Sequence, residues 1–432
     1  IDLSIVVLPA HEAGAHADPL FFLAGGPGQG AATLAPRLAP MLTGVQRERD
    51  VVLVDQRGTG RSGALDCEDA RSDTLAELGE PEEQTLARLR SCLEKLDADP
   101  RHYTTSVAMD DLDEVRAHLG YEKINLYGVS YGTLLGQYVI AQADQHKAKL
   151  RSVIIDGVVR ADIDFNAASG HSLSYALRNL FHACAQDLRC SRAYPNLEQT
   201  FLTLVDQLNR QPVALTLTGP QSKQAVATRV DGNAFVTALV PLLARPYSGN
   251  SARGTSIPKF IHAASQGDFA WAADSLSSDL ESSDGSAKGM YHSVVCVRQK
   301  SLQATPDQVL PPPYPQLVAL GVREGEAVSN VCKILQAEQQ PPFVYRNTDI
   351  PTLVLNGSYD PVTPQPYGEA VASRLKVAHV YTFPGLGHGS FFPPAGMRER
   401  AVPFFTAAVT FLPERENLTL YPRRFFTLEE KK

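Results

Sequence analysis

The most constraining feature of the chain is the regular alternation of short apolar runs with longer amphipathic segments in its first 160 residues. The segment from Thr104 to Gly120 is typical of the amphipathic ones, because its apolar residues recur at helical spacing between a threonine and a glycine. A β-α-β-α-β alternation of this kind predicts a parallel sheet flanked by helices. The predicted strands are residues 19–23, 51–54, 123–127 and 152–155, and residues 131–142 form the predicted helix after the third strand.

The pattern changes at about residue 159, where helical stretches begin to dominate and only residues 213–217 are strand-like. Sheet character returns after Pro341 and Pro342, in residues 351–355 and 379–382. A chain of 432 residues is long enough for one large core and an insertion. We therefore predict a core formed by residues 1–158 and 345–432, interrupted by a mainly helical cap at residues 159–344.

Charge and hydropathy exclude two classes of protein. The chain has 40 basic and 47 acidic residues, a net charge of −7, and shows no basic stripe, which disfavours nucleic-acid binding. No run approaches the eighteen or so apolar residues that a membrane-spanning helix requires. We expect neither a nucleic-acid partner nor a membrane span, and the sequence leaves the oligomeric state open.

Six cysteines form no Cys-x-x-Cys pair of the metal-binding type, and three disulfides are the simplest interpretation. Six reduced thiols are the rival, and sequence alone allows fifteen connectivities. Disulfides would place the protein in the periplasm or outside the cell, and a start at Ile1 fits the removal of a signal peptide. Pairing neighbours closes the shortest loops and joins Cys67 to Cys92, Cys184 to Cys190, and Cys296 to Cys332.

Residues 128–132 read Gly-Val-Ser-Tyr-Gly between a predicted strand and a predicted helix, which is the setting of a nucleophile elbow. Glycines let such a tight turn clear its neighbours and raise the oxygen of Ser130 above the sheet. The N–H of Tyr131 would then face a developing oxyanion. The alternative is a glycine-rich turn with a solvated serine.

A serine nucleophile needs a histidine to take its proton and a carboxylate to orient that histidine. Asp360 and His388 follow Ser130 in that order, each in a loop after a predicted strand. Asp156, after the strand that follows the nucleophile helix, is a rival acid. We favour Asp360 because its loop immediately precedes the strand that leads to His388.

The second oxyanion donor should lie in a glycine-rich loop after an early strand, and Gly26 in Gly-Gly-Pro-Gly at residues 25–28 fits this requirement. Residues 26–31 also match a dinucleotide-binding fingerprint, and Asp55 ends the next strand. A proline inside the fingerprint, and Pro36, Pro40 and Gly44 after it, weaken that interpretation, because the phosphate-binding helix should be uninterrupted. Together these motifs predict an α/β-hydrolase fold, with a mostly parallel central sheet flanked by helices and an inserted helical cap.

Four motifs carry a resemblance to a known family: residues 25–28, Asp-Gln-Arg-Gly-Thr-Gly-Arg-Ser at 55–62, Gly-Val-Ser-Tyr-Gly-Thr at 128–133, and residues 355–364. On these motifs the chain resembles the secreted tripeptidyl aminopeptidase and proline iminopeptidase branch of the α/β-hydrolases over nearly its whole length. The resemblance implies a cleft that holds a peptide by its free N-terminus through acidic residues of the cap. We expect Asp55 and Arg57 to form a buried ion pair that braces their loop.

One departure from that family concerns the substrate's amine. Relatives often carry Cys-x-Glu-Asp in the cap, but this chain reads Cys-Val-Arg-Gln at residues 296–299. Arg298 would repel an amine and attract an anion, so we predict it as a substrate contact. Other acids of the cap, such as Asp187, Asp231 or Asp268, could then replace the missing carboxylates.

The leading hypothesis is an exported serine aminopeptidase that acts through Ser130, His388 and Asp360 on a peptide or small-molecule substrate and needs no cofactor or metal. An esterase or amidase for small, anionic substrates is the alternative of the same class. A nucleotide-binding oxidoreductase and a catalytically silent binding protein are the alternatives of other classes.

Overall fold

The described residues contain nine strands, and seven of them form one central sheet. The strands are β1 (Ile5–Leu8), β2 (His16–Leu23), β3 (Arg49–Val54), β4 (Lys123–Val129), β5 (Lys149–Asp156), β6 (Val213–Thr218), β7 (Ala225–Val230), β8 (Thr352–Gly357) and β9 (Ala378–Phe383). The strand order of the central sheet is β1-β3-β2-β4-β5-β8-β9, in which β1 pairs antiparallel with β3 and all other neighbours are parallel. The computed structural model describes residues 1–12, 16–66, 82–142, 149–245, 256–281, 285–298, 302, 305–346 and 348–389.

Fourteen helices are found in these residues, and four of them precede the fifth strand. They are α1 (Ala35–Gln46), α2 (Glu82–Lys95), α3 (Thr105–His118) and α4 (Tyr131–Gln142) before β5. After it come α5 (Ser169–Gln186), α6 (Leu188–Ala193), α7 (Leu197–Arg210), α8 (Gly232–Thr237), α9 (Val240–Ala244), α10 (Ile257–Ser265), α11 (Ala270–Glu281), α12 (Lys288–Arg298), α13 (Val318–Leu335) and α14 (Gln365–Ala372).

The central strands are apolar along their length because helices cover both faces of the sheet. Leu126 in β4, Val153 in β5 and Val354 in β8 have no exposed surface. These strands follow the apolar runs predicted from the sequence, each extended by a few residues at one or both ends. Continuous rather than alternating hydrophobicity is what burial on both faces requires.

The ends of α3 show how local chemistry fixes the elements around the sheet. Thr104 caps the helix by accepting a hydrogen bond from the N–H of Val107 at 3.3 Å. Gly120, just past its end, has a φ of +78°, a conformation that glycine adopts without strain. The helix predicted between these two residues is confirmed.

The segment after the first glycine-rich loop differs from the expectation. Residues 35–46 form the helix α1, although the prolines and glycine in this segment were expected to break it. Pro36 lies in the first turn, where its missing N–H costs nothing, and Pro40 is accommodated inside the helix. The apolar face of α1, which includes Leu38 and Leu42, packs on the sheet and supplies the stability that the prolines remove.

Between β5 and β8 the described residues add no strand to the central sheet. They form the helices from α5 to α13 and a separate antiparallel hairpin of β6 and β7, of which only β6 was predicted. This region has its own apolar cluster, in which Leu177, Phe201 and Phe235 are fully buried. The division of the chain into a core and a cap at residues 159–344 stays a prediction.

Two of the three predicted disulfides are present, joining Cys184 to Cys190 and Cys296 to Cys332. The second of them links α12 to α13. The predicted partner of Cys92 is Cys67, which lies outside the described residues. None of the described helices is long and apolar enough to cross a membrane.

Candidate active site

Ser130 lies in a very tight turn between β4 and α4. Its φ is +56°, which is strained for a residue with a side chain. A Cβ atom at Gly128 would overlap the carbonyl oxygen of Gly132, and one at Gly132 would overlap that of Leu23. The two glycines are therefore required by close backbone approach, as the sequence predicted, and the turn leaves Ser130 partly exposed.

Hydrogen bonds fix the turn to the neighbouring strand and to the loop that follows it. The N–H of Ser130 donates to the carbonyl oxygen of Asp156 at 3.0 Å. The hydroxyl of Thr133 donates to the carbonyl of Ser130 at 2.6 Å and accepts from the N–H of Val159 at 2.9 Å. These bonds join β4, α4 and the loop after β5 around the serine and compensate for its backbone strain.

His388 and Asp360 meet at the same edge of the sheet. Asp360 is 1% exposed in the loop after β8, and His388 lies in the loop after β9. The Nδ1 atom of His388 is 2.8 Å from Oδ2 of Asp360. Because a carboxylate accepts, Nδ1 carries the proton, and this tautomer leaves Nε2 free to act as a base.

The charges around His388 favour its protonated form. Burial lowers the pKa of the imidazole, but the charge and hydrogen bond of Asp360 and the charge of Asp156 outweigh this effect and raise it above the usual value. Asp360 is itself held by the N–H groups of Val362 and Thr363, which both donate to Oδ1 at 2.8 Å. A carboxylate satisfied in this way stabilises the imidazolium without taking its proton.

The rival acid, Asp156, has a different environment. Its carboxylate is fully buried and accepts a hydrogen bond from the hydroxyl of Tyr127 at 2.8 Å. It acts on His388 through its charge, whereas Asp360 is within direct hydrogen-bonding distance. The geometry therefore favours Asp360 as the acid that sets the tautomer.

Thr363 is a site residue that the sequence analysis did not identify. Its buried hydroxyl donates to Oδ2 of Asp360 at 2.8 Å and lies 3.0 Å from Nδ1 of His388. With its proton given to the carboxylate, its oxygen can share the Nδ1 proton. The position three residues after the acid was the available signal, since a threonine there can close back on the carboxylate.

The glycine-rich loop after β2 lies directly against the serine. A Cβ at Gly25 would be 3.1 Å from Cβ of Ser130, and Gly26 has a φ of +107°. The N–H groups of Gly26 and Tyr131 stay the predicted oxyanion donors, since Gly26 follows the glycine that lies against Ser130 and Tyr131 follows Ser130 directly. The tyrosine ring is buried, which raises the pKa of its phenol to about 12, and its hydroxyl lies 3.2 Å from that of Thr105.

Comparison with known families supports the same fold. A family model for the alpha/beta hydrolase fold matches residues 18–190, and a model for TAP-like proteins matches residues 321–407. The chain has the α/β-hydrolase fold. The first match contains Ser130, and the second contains Asp360 and His388.

Curated relatives of this hydrolase include serine peptidases. The serine protease Hip1 of Mycobacterium tuberculosis is 25% identical over 85% of the chain and 74% of its own length. The tripeptidyl aminopeptidase of Streptomyces lividans is 30% identical over 34% of the chain, a match that spans only 29% of that protein's length. A solved structure of a Mycobacterium smegmatis proline iminopeptidase aligns with 95% of the chain and 94% of its own, with 17% identity and a TM-score of 0.39.

The loop of Asp55 and Arg57 in the hydrolase is braced differently from the prediction. Arg57 forms a bidentate ion pair with Asp111 of α3, at 2.6 and 2.5 Å, and not with Asp55. Asp55 accepts hydrogen bonds from the N–H groups of Thr33 and Arg61 at 3.1 and 3.0 Å. The expected ion pair was wrong because Asp55 turns back towards the glycine-rich loop while Arg57 reaches the neighbouring helix.

Arg298 lies in the interior and not on an open surface of the cleft. It is 3% exposed, and its guanidinium donates to the carbonyl oxygen of Ala161 at 2.7 Å. Burial lowers its pKa, and the rings of Tyr138 and Tyr131 lie close enough to counteract this effect. This burial favours a structural role over the predicted contact with an anionic substrate, which stays a prediction. Gln299 lies outside the described residues.

The three acids expected to replace the family's carboxylates have local structural roles. Asp187 accepts from the N–H groups of Arg189 and Cys190 at the start of α6. Asp231 caps α8 through the N–H of Ala234 at 2.8 Å. Asp268 accepts from the N–H that opens α11 at 3.1 Å. These capping roles account for all three acids without a contact to a substrate amine.

The candidate site contains no arrangement of metal ligands. Across the described ranges, no group of three or more His, Cys, Asp or Glu side chains could hold a metal ion. The imidazole of His388 instead makes polar contacts with Asp360 and Thr363, which orient it for proton transfer.

Proposed function

We propose that this hydrolase is an exported serine peptidase that removes short fragments or single residues from the N-termini of peptides. The observation that carries the proposal is the 2.8 Å hydrogen bond between His388 and Asp360, formed at the edge of the sheet where the strained turn presents Ser130. A buried carboxylate, an oriented imidazole and a serine in a nucleophile elbow are the parts of an acyl-transfer site.

The reaction begins when Ser130 attacks the scissile carbonyl carbon while Nε2 of His388 takes the hydroxyl proton. The carbonyl oxygen becomes an oxyanion that the N–H groups of Gly26 and Tyr131 stabilise. The C–N bond then breaks, and His388 gives the proton to the leaving amine, which produces an acyl-enzyme. Water repeats these steps with His388 again as the base and regenerates the serine. Asp360 remains ionised throughout.

Three observations support action on peptides after export. Residues 321–407 match the TAP-like family model, and the relatives described above carry the names of peptidases. Two disulfides join pairs of residues in the region between β5 and β8, and disulfides persist mainly in oxidising compartments. The preference for a free N-terminus comes from the family resemblance, and it therefore needs the direct test that follows.

That test compares a short peptide anilide with a free amino terminus against its N-acetylated twin, with Ser130→Ala as the blank. We expect the free amine to be preferred in kcat/KM. Equal rates, or a preference for the acetylated twin, would refute the aminopeptidase proposal in favour of an esterase or amidase.

A fluorophosphonate probe tests the underlying chemistry independently of substrate choice. It should label the wild-type protein and spare Ser130→Ala, because only an activated serine reacts at neutral pH. A wild-type protein that resists labelling would instead favour a silent binding protein or the nucleotide-binding alternative.

A further inference from the structure

A segment of the region between β5 and β8 contacts the histidine loop directly before an exposed arginine. The carbonyl oxygen of Ala244, the last residue of α9, accepts a hydrogen bond from the N–H of His388 at 2.8 Å. A Cβ at Gly387 would overlap the carbonyl oxygens of Leu243 and Ala244. The backbones are thus in direct contact, and Arg245 is the next residue after this contact.

The side chain of Arg245 is exposed and close to the site. Its charge opposes that of the imidazolium and acts to lower the pKa of His388, although the pKa remains raised overall. The charge of Arg245 also acts to lower the pKa of Asp279 in α11, although desolvation keeps the pKa of that carboxyl raised overall. Arg245 is therefore an exposed, permanent positive charge close to the base.

The reaction indicates which part of the substrate a charge at the histidine loop would meet. His388 gives its proton to the leaving amine, so a group beside His388 lies near the part of the substrate that departs. In a short peptide this part carries a free carboxylate within one or two residues of the scissile bond. A guanidinium matches that group in charge and in its bidentate geometry.

We propose that Arg245 binds the C-terminal carboxylate of the leaving amino acid or short peptide, so that the enzyme selects short peptides with a free C-terminus. The inference rests on the peptidase function proposed above and names the substrate class of the same site. Arg298, buried against Ala161, leaves Arg245 as an exposed cation at the histidine loop that can meet an anionic substrate.

Asp279 does not prevent this binding. Arginine has five N–H donors, so one carboxylate contact leaves donors for a second. Asp279 is itself exposed, so solvent screens its attraction for the cation. Removal of the acid should therefore strengthen the binding of a substrate carboxylate and should not abolish it.

The test uses two peptides of three or four residues with one sequence, one ending in a carboxylate and the other in an amide. The wild-type protein should prefer the acid, chiefly through a lower KM. Arg245→Gln should reduce this preference by about fivefold, the size expected of an exposed ion pair, whereas any change in the pKa of His388 should affect both peptides alike. Arg245→Lys should keep most of the preference, because it retains the charge.

Arg210→Gln is the matched control, since it removes an exposed arginine from the end of α7 and should change neither KM. Asp279→Asn should increase the preference for the acid. Equal KM values for acid and amide in the wild-type protein, or an unchanged preference in Arg245→Gln, would overturn the proposal.

A second measurement separates this failure from that of the peptidase proposal. If the wild-type protein cleaves neither peptide but hydrolyses a nitrophenyl ester, the peptidase proposal fails, and the two peptides are used as inhibitors of ester hydrolysis. Stronger inhibition by the acid, lost in Arg245→Gln, would still support a carboxylate site at Arg245. Equal inhibition by the two peptides would refute it.

Discussion

Two buried carboxylates influence His388, and exchanging each for an amide decides which one is the catalytic acid. Asp360→Asn keeps the shape of the side chain and the oxygen that accepts from Val362 and Thr363. It removes the negative charge 2.8 Å from Nδ1 and lets the histidine adopt the wrong tautomer. We expect kcat to fall by about 10³- to 10⁴-fold, or about 4 to 5 kcal/mol of transition-state stabilisation.

Asp156→Asn is the matched comparison, because it also neutralises a buried acid close to the histidine. The new amide oxygen can still accept the hydrogen bond from Tyr127, so the local packing is preserved. Only a charge that acts from beyond hydrogen-bonding contact is lost, and we expect a fall in kcat of about tenfold or less. The acid limb of the pH profile should move to lower pH, since this charge helps to raise the pKa of His388.

The assay is steady-state hydrolysis of a peptide anilide or nitrophenyl ester across pH, with thermal unfolding curves to show that each variant is folded. Fluorophosphonate labelling rates provide a second measure of how well His388 activates Ser130. A larger loss in Asp156→Asn than in Asp360→Asn would refute the assignment of Asp360. Equal and modest losses would mean that neither carboxylate alone sets the tautomer.

Three further expectations concern the support of the site. Thr363→Val should reduce kcat by about tenfold with little change in KM, because it removes a donor to Asp360 without touching the substrate, and Thr363→Ser should restore most of the loss. In wild-type kcat/KM profiles the acid limb should lie above pH 6.5, since the base must be neutral and its pKa is raised from that value; a midpoint below 6.5 would contradict the charge balance. Asp111→Asn should cost about 2 kcal/mol in urea unfolding by leaving Arg57 without its partner, and an unchanged midpoint would mean that the ion pair contributes nothing.

The features that could be predicted from the sequence are those set by local rules. Buried parallel strands read as apolar runs, the caps of α3 are a threonine and a glycine, and the elbow needs glycine on both sides of Ser130. The meeting of His388 with Asp360 was predicted as well, because loops after neighbouring parallel strands share one edge of the sheet.

The predictions that failed depended on partners that the sequence does not place in space. Arg57 was assigned to the nearest acid along the chain, whereas the fold brings Asp111 from α3 to it. The prolines of α1 were interpreted as helix breakers, because the packing of Leu38 and Leu42 on the sheet was not visible in the local pattern.

The role predicted for Arg298 illustrates the same limit at the functional site. A motif indicates which position differs from the family, but whether its side chain faces the substrate depends on how α12 rotates and packs. Here α12 directs the guanidinium inward to Ala161, and this burial favours a structural role over a contact with substrate. We propose instead that selectivity for an anionic substrate comes from a residue whose position is set by contact with the histidine loop. Arg245 meets that condition, because the backbone that precedes it is hydrogen-bonded to His388 itself.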